Sequence, residues 1–375
     1  MKLRYKISLS LIGVVGVLLA AFGVALSYDS ECAPAPQLPG DTPVMKAIHF
    51  RCYGSPDVLT LEDTEKPVPA DDEVLVRIRA AAVNPLDWHY LRGEPYMVRL
   101  FAGIGKPKNT RLGVDFSGTV EAVGSSVTYY RPGDEVFGGA RGAFADYVTV
   151  REDGAIAAKP ANVSHEGAAS VAIAAVTALQ GLRDKGNITA GQRVLINGAS
   201  GGVGTFAVQI AKAYGAEVTG VCSTRNLDMV RSIGADHVVD YTREDFTRSG
   251  KRYDLILDMV GNHSLLDIRH ALEPDGTLVQ VGDAEIGNWI DPLLAPLKSL
   301  VLAPFIEPKV VSFIAQLKPG DMAELANLMR AGKLTPVIDR QYALDEIADA
   351  IRYSERGHAR GKIVVTINRE NDRPE

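Results

Sequence analysis

The sequence predicts a two-part α/β protein: a mainly β first half, then a doubly wound parallel sheet. Residues 45–160 hold short segments that alternate apolar and polar side chains, separated by Gly and Pro-Gly turns, the pattern of half-buried strands. From Gln192 onward short apolar runs alternate with helical stretches, the pattern of a sheet covered on both faces. Between the first such run and the first helix lies a glycine cluster, INGASGGVG, Ile196 to Gly204.

The chain has 375 residues, enough for two domains with their own cores. Its net charge of −6 argues against a nucleic-acid polyanion as main ligand. It has three cysteines, Cys32, Cys52 and Cys222, with no CxxC or HExxH spacing. A cysteine-built zinc site is therefore not expected, and three scattered thiols do not read as a disulfide framework.

Lys2, Arg4 and Lys6 precede an uncharged stretch, Ile7 to Leu26, that as a helix reaches about 30 Å, the thickness of a hydrocarbon core. The expectation is a single-pass membrane anchor over residues 1–26. A signal cleaved at Ala25-Leu26-Ser27 is the alternative. The preceding positive charges favour an N-terminus inside, which conflicts with an intracellular cofactor, so the sidedness stays open. Residues 27–44, rich in proline and acidic side chains, read as a linker.

The elements follow in order. MKAIHFRCYG (45–54), DEVLVRIRAAAVNP (72–85), FSGTVEAVGSSVTYYRPGDEVFG (116–138), AFADYVTVRE and AIAAKP supply the first strands. HEGAASVAIAAVTALQGLRD (165–184) has helical composition. RVLIN, a helix from Gly202 to Tyr214, EVTGVC, a helix from Asn226 to Ile233, HVVDY, YDLILDMVG and TLVQVG then alternate. Residues 322–367 hold two helical stretches and a closing strand, GKIVVTI.

Strand, glycines and helix in that order are the context a dinucleotide fingerprint requires. Ala199, Gly201, Gly202, Val203 and Gly204 form the candidate loop. Gly201 would admit a pyrophosphate to the helix N–H groups, and Gly204 would let helix and strand pack closely. The first fingerprint position is Ala199, so the tight turn rests either there or on Gly198. At the end of the second strand, where an acidic residue would bind the 2′-hydroxyl of NAD, stand Ser223, Thr224 and Arg225. Two hydroxyls and a guanidinium favour a 2′-phosphate, which predicts NADPH.

With these residues in view, GVDFSGTVEAVG, RPGDEVFG, INGASGGVG, SIGADHVVDY and RGHARGKIVV resemble the medium-chain dehydrogenase/reductases, over residues 45–367. The likeness is greatest to the zinc-free quinone oxidoreductase and zeta-crystallin-like branch. The resemblance implies a GroES-like substrate domain (45–166, completed by 312–375) interrupted by a Rossmann domain (167–311), and a homodimer joined along the Rossmann sheets. The family's catalytic zinc ligands fall at Asn84, Val114 and Ile173, which cannot build a zinc site.

The resemblance also implies site residues. Asn84 and Asp87 of VNPLDW are placed at the cleft, Asn84 as a hydrogen bond to the substrate oxygen and Asp87 as either a catalytic or a capping carboxylate. Tyr96 or His89 would supply a proton, or solvent would. Thr177 is expected to touch the nicotinamide. Tyr241 and Lys362 are expected near the adenosine phosphate, and Gly261 and Gly282 border the cofactor. Without a Lewis acid, acceptors that delocalise the incoming charge are favoured: quinones and α,β-unsaturated carbonyls. Two rival readings are a zinc-independent ketone or aldehyde reductase and a non-catalytic, membrane-tethered NADPH sensor.

Overall fold

The computed structural model describes residues 16–18, 20–282 and 309–367. Helix α1 (20–27) leads into β1 (Val44–His49), β2 (Thr60–Glu65) and β3 (Glu73–Val83). Helices α2 (Pro85–Arg92) and α3 (Arg99–Ala102) precede β4 (Asp115–Val123), β5 (Glu135–Gly139), β6 (Tyr147–Arg151) and β7 (Ile156–Ala158). The long β3 pairs antiparallel with β4, β6 and β15 (Lys362–Thr366). The chain thus returns at its end to complete the first sheet, in the order β14-β15-β3-β4-β5-β7, with β14 (Ile338–Ala343) a strand the sequence pattern had not marked. The core of this part includes Phe50, Ile78, Phe116 and Val136, closed by Ile347 and Ile351 of a late helix, Ile347–Glu355.

Helices α4 (His165–Ala169) and α5 (Ala172–Gln180) split what the sequence suggested was one helix. Then β8 (Arg193–Asn197), α6 (Gly202–Ala213), β9 (Glu217–Cys222), α7 (Leu227–Ser232), β10 (His237–Asp240), β11 (Tyr253–Asp258), α8 (Leu265–Ala271), β12 (Leu272–Gln280) and β13 (Lys309–Ser312) build a six-stranded sheet. Its order is β10-β9-β8-β11-β12-β13 and every pairing is parallel. Alternate residues of one strand enter opposite cores: Val194 and Ile196 face α5 and α6, while Leu195 joins Ile256, Ile268 and Leu278 on the other face. This is the doubly wound Rossmann arrangement, with its switch point between β8 and β11.

Two expectations are corrected at the N-terminus. Among the described residues no helix is long and apolar enough to cross a membrane. Residues 1–15 and Leu19 of the expected anchor lie outside the described residues. The end of α1 is not released into a free linker. Leu26 is buried, and Arg99 Nη1 donates to the carbonyls of Leu26 (3.0 Å) and Tyr28 (3.1 Å). The single-pass anchor is therefore withdrawn. The cysteines also pair: Cys32 forms a disulfide with Cys52, leaving Cys222 free and buried.

Candidate active site

The cofactor loop forms where β8 meets α6. Gly198 adopts φ +86°, a left-handed conformation that glycine tolerates and other residues rarely do, so the tight turn rests on Gly198. Ala199 sits behind it, fully buried, its N–H bonded to the Val221 carbonyl. A Cβ on Gly204 would lie 2.1 Å from the Gly198 oxygen, so only glycine permits this helix–strand approach. Gly201 caps α6, and a Cβ there would meet only the Gly198 oxygen, at 3.5 Å. The first turn, Gly202-Val203-Gly204, thereby presents N–H groups and the positive end of the helix dipole to an open space.

Beyond the loop, the ends of β9 and β10 lie side by side, with Cys222 opposite Asp240. Ser223 accepts from Asn226 Nδ2 (3.2 Å), which also reaches Ser200. Thr224 Oγ1 contacts Asp240 and Thr242. The Arg225 guanidinium is exposed and donates once, to the His358 carbonyl. Tyr241 is exposed beside them. Asp240 is the acidic residue the sequence search missed because it ends the third strand and not the second. Its carboxyl, held below the usual range by the Thr224 hydroxyl, is occupied by Thr224 and Thr242.

The cleft side of the first domain is a buried polar cluster. Asn84 is the N-cap of α2 and Asp87 its third residue; the Asp87 carboxylate accepts from the N–H groups of Asn84 (2.8 Å) and Gly113 (3.2 Å). Burial pushes the Asp87 carboxyl up to about 7 despite those bonds. Asn84 Nδ2 donates to Asp115 (3.0 Å) and its Oδ1 accepts from Lys362 Nζ (2.6 Å). Lys362 also pairs with Asp115 at 3.3 Å, both side chains being almost wholly buried. The second Asp115 oxygen accepts the Ile173 N–H (2.9 Å). Burial raises the Asp115 carboxyl, and the Lys362 charge opposes that rise.

Lys362 is therefore not turned toward an adenosine phosphate. Its stem lies against the glycine loop, where a Cβ on Gly202 would be 3.2 Å from its Cδ, and Gly361 N–H donates to the Ser200 carbonyl. It joins the two domains at the cofactor loop. Asn84 has both ends of its carboxamide engaged, so it orders this joint in place of offering a free donor. Asp87 takes the capping role left open by its sequence. The Thr177 hydroxyl bonds back to the Ile173 carbonyl (2.7 Å). His89 is bonded to the Glu94 carbonyl through Nδ1, and burial lowers its pKa, which disfavours the protonated form that could donate to a substrate. Tyr96 lies on the loop after α2 with its ring over the Arg99 guanidinium, 4.8 Å away. Gly261 (φ +69°) and Gly282 follow β11 and β12; a Cβ on Gly282 would lie 2.1 Å from the Met259 oxygen. Asp115 and Arg99 are the residues sequence reasoning passed over.

A zinc ion on the three family positions does not fit these residues. Val114 and Ile173 have no donor atom in their side chains, and Asn84 is committed to Asp115 and Lys362. Among the described residues no three His, Cys, Asp or Glu side chains are placed to hold a metal.

Two family models match, "Alcohol dehydrogenase GroES-like domain" over residues 70–161 and "Zinc-binding dehydrogenase" over 233–365. The chain is 33% identical over 336 residues to a 2-methylene-furan-3-one reductase of Solanum lycopersicum, covering 86% of this chain and 79% of that protein. It is 32% identical to an NADPH-dependent alkenal/one oxidoreductase, chloroplastic, of Arabidopsis thaliana, with the same coverage. The quinone oxidoreductase structure from Coxiella burnetii superposes with a TM-score of 0.76 at 30% identity, over 87% of this chain and all of that one. The chain belongs to the medium-chain dehydrogenase/reductase superfamily, in its quinone-oxidoreductase-like branch. Its general activity is that of an oxidoreductase.

Proposed function

We propose that this protein reduces quinones or α,β-unsaturated carbonyls with NADPH and without a metal ion. The observation that carries the reading is that the family's three zinc-ligand positions hold Val114 and Ile173, which have no donor atom, and Asn84, which is committed to Asp115 and Lys362, beside an intact glycine loop. NADPH, when bound, supplies a hydride to the acceptor.

The chain's own residues do the rest. The N–H groups at the start of α6 hold the pyrophosphate. Ser223, Arg225 and Tyr241 take the 2′-phosphate, with Arg225 able to reach it from solvent, while Thr224 gives its proton to Asp240. Gly261 and Gly282 border the cofactor at the strand ends. Lys362, Asn84 and Asp115 fix the glycine loop to the substrate domain, so that the two sides of the cleft keep one geometry. A zinc ion would stabilise a localised alkoxide by several kcal/mol. Without one, an acceptor whose own conjugation spreads the charge is the chemically suited substrate, and Tyr96 or solvent completes the reaction with a proton.

The relatives named as reductases of a methylene-furanone, of alkenals and alkenones, and of quinones support this class. A homodimer joined along the Rossmann sheets belongs to the same reading. The test is NADPH consumption against a quinone, an enone and its saturated ketone. Turnover of the first two and not the third is expected. Preferential turnover of the ketone would transfer the protein to the carbonyl-reductase class.

A further inference from the structure

The segment after α1 is fastened to the substrate domain at several points. Arg99, 1% exposed, is the hub. Its Nη1 serves the carbonyls of Leu26 and Tyr28 and pairs with Asp29 at 2.8 Å. Its Nε donates to Gly93 O (2.8 Å) and its Nη2 to Arg92 O (3.2 Å), at the end of α2. The Tyr53 and Tyr96 rings lie against the same guanidinium, at 4.5 and 4.8 Å. A little further on, Ser30 N–H donates to Gly105 O (2.9 Å), and Tyr53 OH holds Gly103 O (2.6 Å). The strap is closed covalently by Cys32, which is exposed, and Cys52, which is buried next to Tyr53.

These contacts converge on one piece of chain. The loop of residues 93–105 carries Tyr96, and α2 starts at Asn84 and Asp87 of the cleft cluster and ends at the carbonyls Arg99 holds. A buried guanidinium needs all of its acceptors, and five of them come from two separate stretches of chain. Removing the strap takes the Leu26, Tyr28 and Asp29 acceptors away together. Arg99 would then be drawn toward water, and the Tyr96 ring would lose the cation it packs on.

We propose that the disulfide-closed strap of residues 26–32, acting through Arg99, positions the acceptor side of the cleft, so that opening the Cys32–Cys52 bond weakens acceptor turnover and leaves NADPH binding intact. Arg99 is a positioning residue in this scheme and touches no reacting atom. Opening the bond by a dithiol breaks S–S and forms two thiols; the two electrons and two protons come from the dithiol, which closes to its own cyclic disulfide. The exposed Cys32 sulfur is the accessible point of attack.

The kinetic part rests on the reading under Proposed function, so the experiment has two independent readouts. The full chain is compared oxidised, after dithiothreitol, after reoxidation, and as Cys32→Ser. Acceptor kcat/KM is expected to fall by about tenfold or more on reduction, with the NADPH Kd unchanged and activity restored by reoxidation. Cys32→Ser is expected to match the reduced protein and to ignore dithiothreitol. Amide exchange is expected to rise at 93–105 and to stay unchanged at α6. Full reduction, verified by thiol count, with neither effect overturns the proposal. So does a loss of NADPH affinity in step with turnover, because that is general loosening. If no acceptor is turned over in any state, the functional reading fails, and exchange at 93–105 alone decides on the strap.

Discussion

Replacing Lys362 by Met tests the joint between the domains. The ammonium lies 2.6 Å from Asn84 Oδ1 and 3.3 Å from an Asp115 carboxylate that has no exposed surface. Methionine fills much the same volume but leaves that carboxylate buried without a cation. Breaking a buried pair from one side costs about 3–5 kcal/mol. With an unfolding entropy of about 2.1 cal/mol/K per residue over 375 residues, each kcal/mol is worth about 1.3 °C, and the melting temperature should fall by about 4–6 °C. The sign of the pH dependence follows from Asp115. Burial already raises its pKa, and Lys362 opposes the rise. Without the lysine the native pKa climbs further above the unfolded value. The carboxyl is protonated in both states at low pH, and the penalty grows as pH rises from the unfolded pKa to the native pKa and is full above it. Lys362→Met should thus lose more stability at pH 8 than at pH 5, and adding Asp115→Asn should restore most of the loss. Thermal unfolding of the three variants at both pH values is the assay. A loss under about 1 kcal/mol, the worth of an exposed pair, or one that Asp115→Asn does not relieve, would refute the reasoning.

Two further outcomes are expected. Arg225→Glu should lower kcat/KM for NADPH by about ten- to a hundredfold, the worth of one or two charge-assisted hydrogen bonds, while kcat/KM for NADH changes little; an equal loss for both cofactors counts against a 2′-phosphate site. Asp87→Asn should flatten the pH dependence of stability. The native carboxyl, raised by burial to about 7, keeps its proton where the unfolded chain has released it, so wild-type stability declines as pH rises from about 4 toward 7. An unchanged unfolding profile across that range contradicts the buried, raised carboxyl.

The central sheet was legible because its signals are local. Apolar runs between helices, Gly198 and Gly204 at one turn, and Ser223 to Arg225 at the next strand end all lie within a few residues of what they act on. Where the sequence left the tight turn to either Ala199 or Gly198, the positive φ of Gly198 decides. The cleft cluster was only half legible. Asn84 and Asp87 were marked by their motif, but Lys362 reaches Asn84 across 278 positions and Asp115 across 247, and no spacing rule links them. Arg99 reads as one more surface arginine until five acceptors are found around it. The strand Ile338–Ala343 escaped notice because its polar middle, Asp339 to Gln341, hides a shallow alternation. The N-terminal stretch misled because hydropathy marks an apolar run and not its place in the structure: Val17, Leu18, Phe22 and Val24 stay exposed, while Leu26 is buried.

The most direct test of metal-free hydride delivery is turnover of an enone by the purified protein before and after exhaustive chelation, with the bound metal quantified in the same samples. The account predicts less than stoichiometric metal and an unchanged kcat/KM. A metal ion bound one to one, with activity lost on chelation and regained on its return, would contradict it.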